Sequence, residues 1–387
     1  MTEVMPMDLT NDEFARYARH LSLSGFGLPA QESLKRARVL VIGAGGLGCP
    51  ALLYLAAAGV GRIDVLDADR VDVSNLQRQV LFTSDDVGQL KVGVAARRLR
   101  ALNPHIHIVP WAERFTRINA LERVLDCDVV IDGSDNFATR YLVNDACVIA
   151  ARPFIYGAIQ GFEGQASVFN WQSGPTYRCL FPEPAHASTV PNCTQAGVLG
   201  VLPGLIGTIQ ATEAIKLLTG IGEPLSGRLL LWDALSMRMR TVTISADPRQ
   251  REITELPPEG YGEACDLKST PLADEVDWHE LRATLSELQL IDVRENWERA
   301  AGAITASVHL PFAALQSGHG SSTAIESIDP TKPTVVYCSV GVRSRTALEI
   351  LRARHGFTQA RSLRGGYQAW SGIFPVGNTA SNNCTST

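Results

Sequence analysis

One stretch near the amino terminus, from Val39 to Asp69, constrains the fold more than any other part of the 387-residue chain. It reads VLVIGAGGLGCPALLYLAAAGVGRIDVLDAD: an apolar β-rich run, a glycine turn, a helical stretch and a second apolar run that ends in an acid. Gly43, Gly45 and Gly48 satisfy G-x-G-x-x-G, a pattern that lets backbone N–H groups at a helix N-terminus approach phosphates. The stretch therefore predicts the start of a nucleotide-binding α/β fold, and by itself it suits NAD as well as ATP.

Strand-like and helix-like segments alternate over residues 38–170, which predicts βα units and a mainly parallel sheet. Residues 1–30 are predicted as a short helical lead-in, 171–198 as a loop and about 206–219 as a helix. The predicted strands are RVLVIG, RIDVLD, HIHIVP, DVVIDG and FIYGAI, followed by GRLLLWD and MRMRTVTI.

The pattern breaks near residue 246, where the chain becomes polar, aperiodic and rich in proline and glycine. A second, smaller α/β pattern follows, and the last residues are polar. We therefore predict domains at 1–245 and 274–376, a linker at 246–273 and a flexible tail at 377–387.

Composition and charge exclude several classes of protein. The chain is 45% hydrophobic and 19% charged, as in ordinary globular proteins, and its net charge of -5 gives no electrostatic basis for binding nucleic acid. The polar first residues do not resemble a signal peptide, and the apolar run ALLYLAAAGV is too short to span a bilayer. We expect a cytoplasmic protein that binds neither nucleic acid nor membranes.

The eight cysteines include no C-x-x-C pair, so their spacing predicts neither a structural zinc quartet nor a thioredoxin-like dithiol. In a reducing compartment most of them should be free and buried. They are Cys49, Cys127, Cys147, Cys179, Cys193, Cys265, Cys338 and Cys384.

The residues after the second strand favour a triphosphate over a dinucleotide. Asp67 ends that strand, where a carboxylate can accept hydrogen bonds from ribose hydroxyls. Arg78 and Lys91 follow, and two cations suit a triphosphate better than NAD, although a solvated surface is the alternative for both. Asp135 follows a later strand that ends in Asp132, and its carboxylate can hold Mg²⁺ or cap the next helix.

Several motifs together resemble the MoeB/ThiF adenylyltransferases, bacterial relatives of ubiquitin-activating enzymes, across about residues 10–245. They are RYARH, GAGGLG, DAD, SNLQRQ, GQLKV, DGSDN, EGQASVFN, GVLGVLPGLIGTIQATEAIKLLTG and SGRLLLWDA. The resemblance implies adenylation, with ATP and Mg²⁺, of the C-terminal glycine of a small ubiquitin-like sulfur-carrier protein that ends in Gly-Gly. It also implies a homodimer in which Arg19 reaches the partner's ATP.

The same resemblance implies roles for individual residues. Gly46 lies at the phosphates, Asp67 at the ribose and Asp135 at Mg²⁺, while Arg78 and Lys91 act with Asp135 as catalytic groups. The residues implied to bind the nucleotide are Gly46, Asp67, Ser74, Asn75, Leu76, Gln77, Arg78, Lys91, Asp135, Asn136 and Arg19.

The chain departs from this family at a zinc site that usually uses two C-x-x-C pairs. The first pair reads TYRC here, with Thr176 in place of a cysteine and Cys179 retained, and DPRQREITEL has no cysteine at the second. One thiol cannot hold the metal, so we predict no structural zinc. Cys193, in VPNCTQAG, occupies the loop where relatives have a cysteine proposed to bond covalently with the carrier; an ordinary loop cysteine is the alternative.

A second informative stretch is VVYCSVGVRSRTALEIL. Cys338 lies between a β-rich run and a helix that should begin near Arg343 or Ser344, so converging N–H groups, the helix terminus and the arginine favour a thiolate or a persulfide. A buried structural cysteine is the alternative.

With LIDVRENWERAAGAITASVHLPF and LRGGYQAW, this stretch resembles rhodanese sulfurtransferases across about residues 274–375. The resemblance implies that Cys338 carries the persulfide and that Arg343 lines its loop, while Asp292 and Arg294 support the scaffold. Ala303 replaces the usual histidine of the first motif, and we expect little loss of activity from it.

The two resemblances predict an α/β protein with a Rossmann-like ATP-binding domain of the ubiquitin-activating-enzyme type and a small rhodanese domain. The implied function is adenylation of the carrier, followed by sulfur transfer from Cys338 to give a thiocarboxylate. The linker would make this transfer possible because it keeps the two domains near each other. A cysteine desulfurase or thiosulfate would supply sulfur. The carrier could serve molybdopterin, thiamine, cysteine, thiolated tRNA or a secondary metabolite.

Two other functions stay open on sequence grounds. An NAD-dependent oxidoreductase with a passenger rhodanese domain rests on the glycine turn alone. A non-catalytic scaffold that binds the carrier is opposed by the retained Arg78, Lys91 and Asp135.

Overall fold

The computed structural model describes residues 9–183, 197–257, 261, 274–281, 288–317 and 325–373. The chain divides into two compact units, Met1–Cys265 and Asp266–Thr387. Cys193, Cys265, Cys384 and the predicted tail lie outside the described residues.

The first unit is built around eight described strands with helices between them. Its strands are β1 (Arg38–Ile42), β2 (Arg62–Leu66), β3 (His107–Trp111), β4 (Val129–Asp132), β5 (Phe154–Gln160), β6 (Glu163–Phe169), β7 (Arg228–Asp233) and β8 (Arg238–Thr243). Its helices are α1 (Asn11–Arg16), α2 (Ala18–Leu21), α3 (Gly27–Arg36), α4 (Gly48–Ala58), α5 (Lys91–Leu102), α6 (Ala120–Leu125), α7 (Phe137–Ile149), α8 (Tyr177–Leu180) and α9 (Val201–Thr219).

These strands form one sheet in the order β3-β2-β1-β4-β5-β6-β7-β8. The pairs from β3 through β5 are parallel, and those from β5 through β8 are antiparallel. The chain reverses its direction of winding between β1 and β4, where Ile42 is in register with Asp132. Open α/β sheets bind ligands at such a switch point, outside the carboxyl ends of the strands.

Both faces of the central parallel strands β1, β2 and β4 are largely buried. In β1, Val39 and Val41 pack into one apolar cluster, and Leu40 and Ile42 pack into another on the opposite face. A strand covered on both sides reads as a continuous apolar run, which is why these strands were predictable.

The antiparallel extension was only partly predicted. GRLLLWD and MRMRTVTI form β7 and β8, but β6 was not among the predicted strands. Its sequence, EGQASVF, is poor in strong β-formers, and its strand conformation comes from pairing with β5 and β7 on either side.

Helix α9 begins at Val201, about five residues earlier than predicted. It is long and apolar enough to cross a membrane, but half of its apolar window is buried within the described protein. A Cβ on Gly207 would collide with the Leu47 carbonyl oxygen, and Gln210 donates to the Asp132 carbonyl oxygen at 2.7 Å. Within this unit, α9 therefore packs as a core helix.

Residues beyond 245 pack on the first unit. Leu256 is 5% exposed, and the Tyr261 hydroxyl lies 2.8 Å from a carboxylate oxygen of Asp145. The packed unit thus includes part of the segment that the sequence predicts as a linker.

The second unit has a parallel five-stranded sheet in the order β11-β10-β12-β13-β9. Its strands are β9 (Glu275–Val276), β10 (Gln289–Asp292), β11 (Val308–His309), β12 (Thr334–Tyr337) and β13 (Ala360–Leu363). Its described helices are α10 (Trp278–Leu281), α11 (Asn296–Ala300), α12 (Phe312–Ser317), α13 (Val342–His355) and α14 (Gly366–Ile373). Cys338 directly follows the central strand β12, at the carboxyl edge of the sheet.

Candidate functional sites

The glycine turn after β1 packs tightly against the loop after β4. Gly43 has a φ of 91°, and a Cβ there would lie 2.9 Å from the Gly133 carbonyl oxygen. A Cβ on Gly48, the first residue of α4, would collide with the Gly43 carbonyl oxygen. Only glycine fits at these two positions, and the result is a helix N-terminus at the switch point of the sheet.

Asp67 is held beside this turn by two backbone groups. Its carboxylate accepts hydrogen bonds from the N–H of Ala44 at 2.8 Å and the N–H of Asp69 at 2.7 Å. Burial raises the pKa of Asp67, and the positive charge of Lys91 acts in the opposite direction. The turn and the predicted ribose acid thus form one connected cluster.

Lys91 is the first residue of α5 and is only 5% exposed. Its ammonium lies 3.1 Å from the carboxylate of Asp69, which is itself largely exposed. A buried lysine with an exposed acid as its partner is unlike a solvated surface lysine. The structure therefore disfavours the surface alternative for Lys91.

Arg78 lies over the glycine turn. A Cβ on Gly46 would be 3.6 Å from the Arg78 Cδ and 3.1 Å from the Pro203 Cβ. The Arg78 guanidinium donates to the Ser74 carbonyl oxygen at 3.0 Å. The side chain of Arg78 and the start of α9 therefore both lie against the glycine turn.

The intervening segment is fixed by local bonds. Ser74 and Asn75 belong to a short 3₁₀ helix, and the Ser74 hydroxyl donates to the Asp72 carboxylate at 2.6 Å. Leu76 is half-buried, whereas Gln77 is exposed and lies against Gly200, whose Cβ would collide with the Gln77 carbonyl oxygen.

The sequence left open whether Asp135, in the loop after β4, caps the next helix or binds a ligand. Asn136 caps α7, because its side chain accepts a hydrogen bond from the Thr139 N–H at 2.9 Å. Asp135 is exposed, and no described residue hydrogen-bonds to its carboxylate. The capping role therefore falls to Asn136 and leaves Asp135 available for a ligand.

Sequence reasoning noted Asp132 only as a strand end, but its environment is unusual. It is fully buried, one carboxylate oxygen accepts from the Ser134 N–H at 2.9 Å, and the other has no partner among the described residues. Burial raises the pKa of Asp132, while Arg140 acts to lower it. An acid at the end of an apolar strand was the only signal in the sequence.

Arg19 is exposed on α2, and no described contact joins it to this cluster. Next to it, a groove of about 180 Å³ runs between α4 and α9 and is lined by apolar and small side chains. Those residues are His20, Tyr54, Ala57, Ala58, Thr208, Ala211, Thr212 and Ile215.

The substituted zinc position is occupied by a hydrogen-bonded turn. Thr176 is fully buried, and the Cys179 sulfur accepts hydrogen bonds from the N–H groups of Thr176 and Asp247, both at 3.3 Å. Among the described residues, no group of three or more His, Cys, Asp and Glu side chains is placed to hold a metal.

A buried carboxylate ties the same subregion together, and we call it the Asp145 clasp. Asp145 receives two hydrogen bonds from Arg178, each 2.8 Å, and one each from Tyr261 and Asn144, also 2.8 Å. The side-chain amide oxygen (Oδ1) of Asn144 in turn accepts a hydrogen bond from the Tyr177 N–H at 2.8 Å. Hydrogen bonding to Asp145 raises the pKa of Arg178.

In the second unit, Cys338 is 1% exposed and lies between β12 and α13, as predicted. Its sulfur accepts a hydrogen bond from the Gly341 N–H at 3.2 Å. Helix α13 begins at Val342, one residue before the predicted start.

The N-terminus of α14 supports the Cys338 loop from the other side. The N–H of Tyr367 donates to the Cys338 carbonyl oxygen at 2.7 Å, and that of Gln368 donates to the Ser339 carbonyl oxygen at 3.0 Å. Gly366 has a φ of 56°, and a Cβ there would collide with the Cys338 carbonyl oxygen. The LRGGYQAW motif is thus a structural support for the sulfur loop.

Glu298 holds the front of the loop, a role that sequence reasoning missed. Its carboxylate accepts two hydrogen bonds from Arg343, at 2.7 and 2.6 Å, and one from the Ser339 hydroxyl. Although burial acts in the opposite direction, these bonds lower the pKa of Glu298 to about 2. The R-x-x-x-E spacing from Arg294 to Glu298 was the available signal.

Asp292 and Arg294 form a buried ion pair beneath the loop. Arg294 donates to the two carboxylate oxygens of Asp292 at 3.0 and 2.9 Å, and its guanidinium stacks 3.9 Å from the Tyr367 ring centroid. The Tyr337 hydroxyl also donates to Asp292, at 3.0 Å. These contacts are compatible with the predicted scaffold role.

Comparison with known families accounts for both units. Residues 17–252 match the ThiF family, and residues 277–373 match the rhodanese-like domain.

Comparison with curated proteins gives three informative relatives. The chain is 45% identical to a probable adenylyltransferase/sulfurtransferase MoeZ of Mycobacterium tuberculosis, over 94% of both chains. It is 39% identical to adenylyltransferase and sulfurtransferase MOCS3 of Sus scrofa, over 95% of this chain and 88% of the relative. It is 52% identical to a sulfur carrier protein adenylyltransferase of Thermus thermophilus, over 63% of this chain and 92% of the relative.

Solved structures of Escherichia coli MccB are similar to part of the chain. The complex with MccA-N7isoAsn has a TM-score of 0.55 at 24% identity and covers 62% of this chain and 74% of that chain. The complex with ATP has a TM-score of 0.54 at 25% identity, with coverage of 60% and 72%. These similarities confirm the predicted fold class.

Proposed function

The chain belongs to the ThiF family and carries a rhodanese-like domain after it, and from this premise we propose that it activates and thiolates a sulfur carrier. It is an adenylyltransferase and sulfurtransferase: ATP adenylates the C-terminal glycine of a small ubiquitin-like carrier, and a persulfide sulfur converts the product to a thiocarboxylate. The observation that carries this conclusion is the 45% identity, over 94% of both chains, to a probable adenylyltransferase/sulfurtransferase.

Adenylation brings two anions together. The carrier's carboxylate attacks the α-phosphorus, and pyrophosphate departs as the acyl-adenylate forms. We propose that Lys91 and Arg78 offset the charge repulsion and stabilise the leaving pyrophosphate, since fixed cations in a preorganised site stabilise developing charge. The burial of Lys91 and the position of Arg78 over Gly46 support these roles. Asp67 would accept hydrogen bonds from the ribose.

Asp135 is the residue we propose to hold Mg²⁺. Its exposed carboxylate, without a described hydrogen-bond partner, is a hard oxygen ligand at the carboxyl edge of β4, and Mg²⁺ prefers such ligands together with phosphate oxygens. When bound there, the ion would withdraw negative charge from the phosphates. No structural zinc is included in the proposal, because Thr176 replaces a ligand and Cys179 is already hydrogen-bonded to backbone N–H groups.

Sulfur transfer completes the reaction. The terminal sulfur of a Cys338 persulfide attacks the acyl carbon, and AMP departs. We propose that this attack gives an acyl disulfide with Cys338, either directly or after a thioester with Cys193. A thiolate, from Cys193 or from an external thiol, then attacks the Cys338 sulfur, so that the sulfur–sulfur bond breaks and the thiocarboxylate leaves. The disulfide that remains is reduced by an external thiol before the next turnover. The hydrogen bond from the Gly341 N–H to the Cys338 sulfur supports a site that stabilises negative charge on sulfur.

A homodimer is supported by an apolar surface. The groove between α4 and α9 contains Tyr54, which is 56% exposed, and Ile215, with small residues between them. Arg19 is the neighbour of His20, which lines the same groove. A second copy that covered this groove would carry its Arg19 to the interface, consistent with the role implied by the family resemblance.

We propose that the enzyme works in the cytoplasm. Among the pathways that use carrier thiocarboxylates, molybdenum cofactor biosynthesis is the first to test. Specificity for the carrier should lie on the protein surface around the nucleotide site and not in the phosphate-binding residues.

The test is ATP–pyrophosphate exchange with candidate Gly-Gly carriers, together with intact-mass spectrometry of the carrier. Lys91→Ala should lower exchange about 10²–10³-fold, the usual cost of removing one preorganised electrostatic group. Lys332→Ala, the same change at an exposed lysine of the second unit, serves as the control. No exchange with any such carrier, together with tight binding of NAD, would refute the proposal.

Cys338→Ala separates the two half-reactions. It should leave exchange intact and abolish the replacement of oxygen by sulfur at the carrier terminus. Full thiocarboxylate formation by this variant would contradict the role of Cys338.

A further inference from the structure

The Cys338 loop, residues 338–344, contains one cation, and its charge is already compensated. Arg343 lies 2.7 and 2.6 Å from the two carboxylate oxygens of Glu298, whose side chain is 8% exposed. Because the pKa of Glu298 is lowered to about 2, this carboxylate stays ionised at any pH at which the enzyme works. The pair therefore adds no net positive charge to the loop.

The arginines of the surrounding motifs are ion-paired as well, although Arg294 and Arg299 share one carboxylate. Each of them has a carboxylate partner within 4 Å. The pairs are Arg294 and Arg299 with Asp292, and Arg345 and Arg364 with Glu275. Within the described part of this unit, each of these guanidinium groups is thus held in an ion pair, and Arg343 is the cation that belongs to the Cys338 loop itself.

Two large exposed side chains at the same place are apolar. Val340, in the loop itself, is 44% exposed, and Trp297, the neighbour of Glu298 on α11, is 73% exposed. The Glu298 carboxylate accepts a hydrogen bond from the Ser339 hydroxyl. This bond connects the helix that carries Trp297 with the loop that carries Val340. A large exposed tryptophan is common where a protein surface is covered by a partner.

We propose that Glu298 is a specificity-determining residue that makes Cys338 accept sulfur from a protein-bound persulfide and discriminates against small dianionic donors such as thiosulfate. This inference rests on the proposed function of Cys338. A doubly charged donor needs cations that no carboxylate compensates, and Glu298 compensates the charge of Arg343, the cation of the Cys338 loop. A protein persulfide instead brings one negative charge together with apolar surface, which Trp297 and Val340 can cover.

The two sulfur transfers balance in the same way. The Cys338 thiolate attacks the outer sulfur of the donor, and the donor's sulfur–sulfur bond breaks. The leaving group is the donor cysteine thiolate in one case and sulfite in the other. Neither transfer needs an external oxidant or reductant, so the difference between them lies in donor binding and charge.

The test measures persulfide on the Cys338 peptide of the full-length protein by mass spectrometry. One donor is a purified cysteine desulfurase that has been loaded with a persulfide from cysteine. The other donor is inorganic thiosulfate. The wild type should favour the protein donor, and Glu298→Gln should shift the ratio of kcat/KM values about tenfold towards thiosulfate, as expected for exposing one partly screened charge. This gain should diminish with salt and disappear in the Glu298→Gln/Arg343→Gln double variant.

Two further variants keep the proposal testable if Glu298→Gln folds poorly. Trp297→Ala changes an exposed side chain and should lower the ratio of protein-donor to thiosulfate efficiency several-fold. Glu280→Gln removes the same charge from an exposed pair with Arg361, at the amino end of β13, and serves as the matched control. If the role of Glu298 were purely structural, Glu298→Gln would lower the kcat/KM values for both donors equally.

The outcomes distinguish this inference from the function on which it rests. A wild type that uses thiosulfate as efficiently as the protein donor, or a ratio that Glu298→Gln and Trp297→Ala leave unchanged, would overturn it while Cys338 kept its role. Failure of Cys338 to acquire sulfur from either donor would refute the sulfurtransferase function itself, and this inference with it.

Discussion

Replacement of Asp145 by alanine tests whether the Asp145 clasp stabilises the subregion in which the MoeB/ThiF family usually binds zinc. The Asp145 side chain is 1% exposed and the Arg178 side chain 17% exposed, so the pair is largely withdrawn from water. Alanine would leave the guanidinium, the Tyr261 hydroxyl and the Asn144 amide without their shared acceptor.

The magnitude follows from these contacts. Removing one partner of a buried ion pair costs about 3–5 kcal/mol, and partial access of water to Arg178 argues against the upper end. We therefore expect a loss of about 4 kcal/mol, which for a unit of this size corresponds to a fall in Tm of roughly 8–16 °C.

The assay is scanning calorimetry of the full-length protein, with hydrogen exchange of α7 and α8 peptides to assign the transition to the first unit. Asp126→Ala is the control, because its carboxylate is 51% exposed and pairs with Arg38 at 2.7 Å at the surface. The control should lose less than about 1 kcal/mol. If Asp145→Ala loses no more stability than the control, hydrogen bonding to Asp145 does not stabilise this subregion.

The remaining predictions concern the metal, the sulfur loop, acid stability and the dimer. Metal analysis of purified protein should find no stoichiometric zinc, and one zinc per chain would contradict the interpretation of Thr176. Gly366→Ala should lower persulfide formation more than tenfold through its collision with the Cys338 carbonyl oxygen, whereas Gly356→Ala, at a φ of 74° with no atom within 4 Å of the new Cβ, should cost only backbone strain of roughly 1 kcal/mol. Because the pKa of Glu298 is lowered from 4.5 to about 2, its stabilisation is present above pH 4.5 and is lost as the pH falls towards 2; Glu298→Gln should flatten this part of the acid unfolding curve measured by circular dichroism. Mixing inactive Arg19→Ala and Lys91→Ala proteins should restore part of the exchange activity if one subunit supplies Arg19 to its partner's site, and no recovery after proven subunit exchange would contradict that arrangement.

The central parallel strands of the first sheet were predictable because they are buried on both faces. Runs such as RVLVI and VVID are apolar throughout, so their strand character needs no partner to be recognised. EGQASVF was missed because its alanine, serine and glycine residues gain strand conformation only from β5 and β7.

The candidate nucleotide site was predictable to a similar degree. Glycines that cannot carry a Cβ, and acids at strand ends, leave a direct mark in the sequence, and Gly43, Gly48 and Asp67 do lie together. The choice between Asp135 and Asn136 as helix cap was not predictable, since either residue type serves and only the loop geometry selects one.

The sequence by itself determined the two-part α/β organisation, the family resemblances and the position of Cys338, because glycine turns, continuous apolar strands and short motifs are local patterns that chain neighbours specify. Only the tertiary structure decided that Asp145 forms hydrogen bonds with Arg178 and Tyr261, and that Glu298 pairs with Arg343 beside the sulfur. Those contacts join residues 33 to 116 positions apart, and hydrogen bonding between charged groups depends on distance in space and burial, which no local pattern records.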